Sequence, residues 1–343
     1  MRILVEYPSW NPYAPPTIGN LRCYSMGSFT YKLIKHVIEE NLLPIDYPSN
    51  SLLTAEYFVN DLGDPAFDSS CLGNRKAFIN DEIRKILSEE ESKGLTYFHE
   101  TRLFPTIAEE VLKELSLKKL IKRKDLYIEI NNEELLLLKY GASIPLYTTQ
   151  GKPLYFFTDL CYGFASRLTY DKKYSFIGED QKKHCLNLIE VNKKLAINNR
   201  IFHLFSLVYR RKTKYSKRNG DSLDLQSFKK EKASYFLFFN NRNSKKVISD
   251  FPLEYDAWRK KNWKCFLNIK NINSISHQEK DSCTSFCHYN KLRDLVKKTI
   301  LNLDLDVNTS PLVDILFYFF SKPSRICCNK TATYIKKLYK IVT

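Results

Sequence analysis

The sequence predicts an α/β protein in which a nucleotide-binding sheet is followed by an α-helical region. Residues Ile3 to Tyr7 form a short, mostly apolar run typical of a buried strand. Four prolines between positions 8 and 16 then impose an extended loop, which closes at Gly19. A helical pattern follows from about Leu21 to Asn41. Strand, loop and helix in this order open a nucleotide-binding α/β unit with a parallel sheet.

The later elements follow the same alternation before the pattern becomes helical. Beyond Lys229 the chain is mostly helical and polar, so a domain boundary is predicted near residue 230, between residues 1–230 and residues 231–343. Further strands are predicted at Tyr57–Asn60, Leu154–Phe157 and Ser175–Gly178, a hairpin at Leu126–Ile130 and Leu135–Tyr140, and helices at Arg75–Glu91, Ile107–Lys122 and Leu160–Leu168.

Composition points to a polyanionic partner and away from a membrane. The chain has 54 Lys and Arg against 38 Asp and Glu, a formal net charge of +16, which favours nucleic acid through counterion release. A basic surface kept for solubility is the simpler explanation of the same charge. The nine cysteines have no framework spacing, and the apolar run Leu312–Phe320 is too short to span a membrane. We therefore expect a cytoplasmic protein with no membrane partner.

The loop before the first helix carries the first candidate site. Asn11 to Arg22 reads Asn-Pro-Tyr-Ala-Pro-Pro-Thr-Ile-Gly-Asn-Leu-Arg and ends on a helix N-terminus, which suits phosphate groups. Gly19 would let an adenosine approach the backbone. Thr17 and Asn20 can donate hydrogen bonds to phosphate but carry no charge.

A basic loop is the second candidate site. It reads Lys214-Tyr215-Ser216-Lys217-Arg218, and Lys217 is suited to stabilise charge on a leaving phosphate. A solvated basic run or a simple RNA patch explains the same residues, since Arg210 to Arg218 holds six basic residues in nine.

These two loops resemble the HIGH and KMSKS motifs of class I aminoacyl-tRNA synthetases, in the form found in arginyl-tRNA synthetases. Thr17 and Asn20 stand where the family has the two histidines, and residues 17–20 and 214–218 are the matching loops. Asn60-Asp61-Leu62-Gly63 resembles a turn of the family. A further set matches the arginine-reading residues of the family in order along the chain: Glu6, Asn11, Tyr155, Asp159, Gln181 and His184.

The resemblance implies a role for each matching residue. Glu6 would hold the substrate amine and Asp159 the guanidinium or the amine, and the two roles are interchangeable at this stage. Tyr155, Asn11 and Gln181 would shape the amino-acid pocket, because a planar cation needs fixed carboxylates and an aromatic wall. Thr17, Gly19, Asn20, Lys214, Ser216 and Lys217 would act on ATP and its leaving pyrophosphate, and His184 would contact ATP.

The resemblance covers about residues 2–250 and implies a Rossmann-like class I catalytic domain, followed by a shortened helical domain related to anticodon-binding domains. It implies an ATP-dependent arginine–tRNA ligase with arginine, ATP and tRNA as partners, Mg²⁺ bound with ATP, no metal held by the protein, and a monomeric state. Two alternatives stay open. A paralogue would arginylate another acceptor, which the unmatched tRNA-contacting domains favour. A non-catalytic RNA-binding or regulatory descendant is favoured by the two replaced histidines. Trp258 and Trp263 lie among lysines, and core packing is predicted for both.

Overall fold

The chain forms two compact units, each built from two stretches of sequence. The computed structural model describes residues 1–7, 16–42, 51–59, 95–123, 136–138, 144–148, 151–211, 213–215, 225–241, 246–263, 265, 288–302, 310–321 and 329–342. The first unit comprises Met1–Pro15 and Thr54–Phe202, and the second comprises Pro16–Leu53 and His203–Thr343. The boundary near residue 230 stays a prediction.

A five-stranded sheet lies mainly in the first unit. Its strands are β1 (Arg2–Glu6), β2 (Leu52–Val59), β3 (Leu95–His99), β7 (Lys172–Gly178) and β8 (Arg200–Phe205), in the order β3-β2-β1-β7-β8. The pairs β1–β7 and β2–β3 are parallel. Three consecutive residues of β1, Ile3, Leu4 and Val5, are fully buried, as in a strand covered on both faces. The register places Glu6, the last residue of β1, beside Ser175.

Helices of the first unit pack around one apolar core. They are α2 (Glu100–Leu117), α3 (Tyr155–Ser166) and α4 (Lys182–Lys194), with α2 against α3 and α3 against α4. Phe157 on α3 lies at the centre of the core, with the rings of Phe104 and Tyr147 edge-on at 5.1 and 5.2 Å. A small antiparallel sheet joins β4 (Ile121–Arg123), β5 (Leu136–Leu138) and β6 (Ile144–Pro145).

The prediction of a strand at Leu154–Phe157 is wrong. Residues 155–157 form the first turn of α3, and Leu154 is its N-cap. A short apolar run has no period that separates a strand from a buried helix, and the continuation through Leu160 decides for the helix. The helix predicted at Ile107–Lys122 ends at Leu117, where a turn leads into β4. The strands predicted at the N-terminus, near Tyr57 and near Ser175 are confirmed. The helix predicted at residues 75–91 lies outside the described residues.

The second unit is mainly helical, as the polar periodic pattern beyond Lys229 predicts. It contains α1 (Ile18–Glu39), α5 (Leu225–Asn240), α6 (Phe251–Lys261), α7 (His288–Leu301), α8 (Ser310–Ser321) and α9 (Asn329–Val342), and the short hairpin β9 (Tyr209–Arg210) and β10 (Thr213–Lys214). Helix α1 packs against α5, α7 and α9. Arg22 on α1 is fully buried and donates to the backbone oxygens of Ser206 at 2.7 Å and Lys246 at 3.0 Å.

The two tryptophans near the end of α6 differ in their surroundings. Trp258 is buried, with Phe238 edge-on at 5.4 Å, which confirms the prediction of core packing for this residue. Trp263 is 51% exposed, so the same prediction is wrong there. The end of α6 explains the difference, because Trp258 lies within the helix and Trp263 lies beyond its C-cap, Asn262. Among the helices that the structure describes, none is both long and apolar enough to cross a membrane.

Candidate functional site

A cluster of charged and hydroxyl side chains lies buried within the first unit, at the sheet and the start of α3. We call it the charge cluster. Its members are Glu6, Glu56, Asp159, Tyr162, Lys173, Ser175 and Arg200, and each is at most 8% exposed. They come from four neighbouring strands and from α3, so the sheet order brings together residues that are far apart in sequence.

Arg200 stands between the two carboxylates that the sequence predicts for the substrate. Its Nη2 lies 3.3 Å from Glu6 Oε2 and 3.4 Å from Asp159 Oδ1. Its Nε donates to Ser175 Oγ at 3.1 Å, and Ser175 Oγ donates to Glu6 Oε2 at 2.5 Å. One guanidinium therefore links Glu6, Asp159 and Ser175.

Lys173 is the second buried cation of the charge cluster. Its Nζ lies 3.6 Å from Glu6 Oε2 and 2.8 Å from the centre of the Tyr162 ring. Within the described part of the chain this ammonium group makes no hydrogen bond. The Tyr162 hydroxyl donates to Glu56 instead.

Burial and the internal cations shift the acidic groups in opposite directions. Burial opposes ionisation of Glu6, but Lys173 and Arg200 outweigh it and hold the pKa of this carboxyl below its usual value. The same balance lowers the pKa of Asp159, where Arg200 and the hydrogen bond to His184 oppose burial. Burial raises the pKa of Glu56, because Lys173 and the Tyr162 hydroxyl compensate it less.

The cationic groups are shifted as well. Burial, followed by the neighbouring Arg200, lowers the pKa of Lys173 to about 7. Burial acts in the same direction on Arg200, but Glu6 and Asp159 outweigh it and raise the pKa of the guanidinium. Glu6, Asp159 and Arg200 are therefore ionised at neutral pH, whereas Lys173 is close to its titration midpoint.

Two of the predicted pocket residues form a wall next to Asp159. His184 on α4 has its Nε2 2.8 Å from Asp159 Oδ2, and its ring stacks on Tyr155 with ring centres 4.8 Å apart. Tyr155, the first residue of α3, is 39% exposed and so is accessible from solvent. Gln181 ends a 3₁₀ turn (Glu179–Gln181) just before α4. The structure thus brings Glu6, Tyr155, Asp159 and His184 together, and Asn11 lies outside the described residues.

Thr17, Gly19 and Asn20, which were predicted to contact ATP, lie in the second unit at the start of α1, whereas His184, predicted to contact ATP as well, lies on α4 in the first unit. Thr17 is the N-cap, and its hydroxyl accepts from the Asn20 backbone at 3.4 Å. The Asn20 side-chain oxygen accepts from the Thr17 backbone at 2.9 Å and from the Thr17 hydroxyl at 3.0 Å. This is a capping box, with Asn in the place of the usual Glu or Gln. Of the two side chains, Asn20 then has its amide nitrogen left to donate to a ligand.

Gly19 is not required by the fold itself. A methyl group on this residue would meet Thr17 Oγ1 at 3.6 Å, an ordinary contact. Lys214 lies on β10, paired with Tyr209. Ser216 and Lys217 lie outside the described residues, so the roles assigned to this loop stay predictions.

Sequence reasoning missed the buried cations and Glu56. Lys173 lies two residues before the predicted strand Ser175–Gly178, and no local pattern distinguishes it from the neighbouring Lys172. Arg200 follows two asparagines and begins β8. A charged residue placed where a buried strand begins was the available signal, although such residues are more often solvated.

Comparison with known proteins shows a likeness in structure. No protein-family model matches the sequence, and no curated protein matches it. An arginyl-tRNA synthetase from Plasmodium falciparum matches with a TM-score of 0.64 and 13% identity, over 99% of this chain and 76% of that one. A Campylobacter jejuni protein named as an arginyl-tRNA synthetase matches with a TM-score of 0.63 and 13% identity, over 99% and 90%. The chain has the class I aminoacyl-tRNA synthetase fold.

This synthetase fold is shared by enzymes for different amino acids. The methionyl-tRNA synthetase of Mycobacterium tuberculosis matches with a TM-score of 0.62 and 8% identity, over 99% of this chain and 89% of that one. Its score is almost equal to those of the two arginyl proteins. The likeness therefore establishes the fold and does not identify a ligand.

Proposed function

We propose that this protein is an ATP-dependent amino acid–tRNA ligase that activates arginine. In the proposed reaction the arginine carboxylate attacks the α-phosphate of ATP, pyrophosphate leaves, and arginyl-adenylate passes its arginyl group to the terminal ribose of tRNA. Mg²⁺ enters with ATP as its counterion. The function would be exercised in the cytoplasm by a monomer.

The observation that carries the proposal is a guanidinium held by Glu6 and Asp159. Two ionised carboxylates from different elements contact a planar cation, and the aromatic rings of Tyr155 and His184 line one side of Asp159. Carboxylates in fixed positions and an aromatic wall are what recognition of an arginine side chain needs. In this protein the guanidinium between the two acids belongs to Arg200 of the same chain.

The start of α1 supports the ATP part of the proposal. A capped helix N-terminus offers backbone N–H groups and a partial positive charge to phosphate. Among the described residues, neither backbone geometry nor packing demands glycine at position 19, so there is room for a ligand to approach the backbone closely. Lys217 would stabilise the charge that develops on the leaving pyrophosphate.

Arginine-dependent ATP–pyrophosphate exchange tests the proposal directly. We expect exchange with arginine, in the presence of tRNA, and none with the other amino acids. Lys217→Ala should lower the rate by about 10²-fold or more, as removal of a transition-state contact does. Lys212→Ala, which removes a positive charge five residues earlier in the sequence, is the matched control and should retain the rate. Exchange with a different amino acid would contradict the arginine assignment.

A second prediction concerns the loop at the start of α1. Thr17→His/Asn20→His would supply charged donors where the chain has neutral ones, and a charge-assisted bond is about twice as strong. We expect faster arginyl-adenylate formation by about tenfold, equivalent to ~1.4 kcal/mol in the barrier. Because both changes also remove the capping box, Thr17→Ala/Asn20→Ala is the control for loss of the cap alone. If the histidine pair is no faster than the alanine pair, the loop does not contact ATP.

A non-catalytic RNA-binding descendant is the second candidate function. Two observations favour it: Thr17 and Asn20 bond to each other, and the half-exposed Trp263 borders a hollow with Arg259 and Lys260 at the end of α6. An exposed aromatic ring among cations can stack on a base and neutralise phosphate. Absence of exchange in both the parent and the histidine pair, with folded protein that binds RNA, would favour this candidate over the ligase.

A further inference from the structure

Arg200 occupies the position that a substrate guanidinium would need. Its Nη2 is within 3.4 Å of both Glu6 and Asp159, and its side chain is 1% exposed. Its Nη1 points to the backbone oxygen of Asp159 at 3.4 Å, and its Nε donates to Ser175. The two carboxylates that sequence reasoning reserved for arginine are thus already paired with a guanidinium from the same chain.

While Arg200 is in place, the charges of the cluster oppose the binding of a second guanidinium. Glu6 and Asp159 supply two negative charges, and Arg200 together with the half-titrated Lys173 offsets most of them. Burial raises the pKa of Glu56, and its carboxyl already accepts from the Tyr162 hydroxyl. A further cation beside Arg200 would place like charges a few ångströms apart in a buried site, which is strongly unfavourable.

The contacts of Arg200 are longer than those of a tight ion pair. Charge-assisted N–H to carboxylate bonds are typically about 2.7–2.9 Å. The contacts of Nη2 measure 3.3 and 3.4 Å and are shared between two acids, without a bidentate pair. Free arginine, which could adopt the better geometry, would therefore bind more tightly once Arg200 is removed.

We propose that Arg200 is the specificity-determining residue of this site, an internal guanidinium that competes with free arginine for Glu6 and Asp159. This inference rests on the proposed function in taking the two acids as the amino-acid site. In the parent protein arginine reaches the two carboxylates by displacing Arg200, so Arg200 lowers the affinity for arginine. A purely structural role for Arg200 would also make its removal destabilising, so stability alone does not separate the two roles.

Ligand binding to Arg200→Ala separates them. The full chain is titrated calorimetrically with L-arginine and with L-citrulline, which has the same shape but a neutral urea group. We expect Arg200→Ala to bind arginine at least about tenfold more tightly than the parent, since removal of a neighbouring like charge shifts binding by that order, and to bind citrulline no better. Arg167→Ala is the matched control. It removes a guanidinium that caps the end of α3 over the Phe164 ring, away from Glu6 and Asp159, and should leave arginine affinity unchanged.

Rescue by a small cation gives a second, independent readout. Methylguanidinium chloride should raise the unfolding temperature of Arg200→Ala relative to the same concentration of methylammonium chloride, because only the former fits between two carboxylates as a planar donor. Each salt should change the unfolding temperatures of the parent and of Arg167→Ala by the same amount. Arg200→Gln, which keeps the length and neutral donors, carries the same two measurements if the alanine variant does not fold. Equal arginine affinity in the parent and Arg200 variants, or equal effects of the two salts, would overturn the proposal.

Arginine-dependent ATP–pyrophosphate exchange, measured on the same proteins, distinguishes a failure of this inference from a failure of the proposed function. If Arg200→Ala gains arginine and methylguanidinium binding while no variant supports exchange, Arg200 has the proposed role and the ligase function fails. If the parent supports arginine-dependent exchange and binds arginine as tightly as Arg200→Ala, the ligase function stands and the role of Arg200 fails.

Discussion

Asp159→Ala is expected to lower the free energy of unfolding by about 3–5 kcal/mol, as loss of one partner of a buried ion pair typically does. Arg200 would keep Glu6 but lose its second carboxylate, and His184 would lose its hydrogen-bond acceptor. Both groups are too deeply placed for water to replace the lost contacts fully. Urea unfolding at pH 7, followed by fluorescence and by circular dichroism, measures the change.

The control for this variant is an acid of the same unit that lies at the surface. Asp171→Ala removes a carboxylate that is half exposed and accepts from the Arg2 backbone, and it should cost no more than about 1 kcal/mol.

The contribution of Asp159 to stability should depend on pH with a definite sign. Because the pKa of Asp159 is lowered in the folded protein, its contribution is present above its unfolded value near 4 and is lost as pH falls further. A difference between parent and Asp159→Asn that grows on acidification would contradict the assignment.

Lys173→Met is expected to act in the opposite direction and to stabilise the protein by about 1–4 kcal/mol at pH 7, because lowering the pKa of Lys173 from 10.5 to about 7 reflects a cost of that order for keeping its charge in the folded protein. Desolvation is the largest influence on Lys173, and its ammonium group makes no hydrogen bond within the described residues. Glu6 would keep Arg200 and Ser175 as partners. Thus the change removes a poorly satisfied cation without leaving an unpaired anion.

The pH dependence of this gain identifies its cause. Lys173 faces Glu6, Glu56, Asp159, Arg200 and Tyr162. Its pKa is about 7 in the folded protein and 10.5 in the unfolded chain, so the unfolded state binds more protons between these values and the parent becomes more stable as pH rises. The advantage of Lys173→Met should therefore be largest at or below pH 7 and shrink toward pH 10. Lys172→Met, on the same strand, is the control and should change stability by at most about 0.5 kcal/mol. An advantage independent of pH would show that packing, rather than charge burial, is responsible.

Both predictions concern residues that sequence reasoning treated unequally. Asp159 was predicted as a substrate ligand because it matches an acid of the arginyl family, and the structure adds that it pairs with Arg200 and His184. Lys173 was not predicted at all. Its side chain is oriented by its place in β7, between β1 and β8, and that strand order is not written in any short stretch of sequence.

The sequence by itself determined the local elements and the candidate acids. Three consecutive apolar residues mark β1, Thr17 and Asn20 lie three residues apart at the start of α1, and Glu6 ends β1 while Asp159 lies in α3. Each of these features depends on residues within about one turn or one strand of each other, which is the range over which period and capping act.

Only the tertiary structure decided what the two acids contact. Arg200 lies 194 residues from Glu6 and 41 from Asp159 along the chain, and it meets both because β8 joins the sheet beyond β7 while α3 packs above it. A strand order of this kind is set by burial summed over the whole core rather than by any single motif. Without Arg200, the two carboxylates could bind an external arginine. With Arg200 present, they form a buried ion pair within the chain. Chain topology alone brings Arg200 within 3.4 Å of both acids.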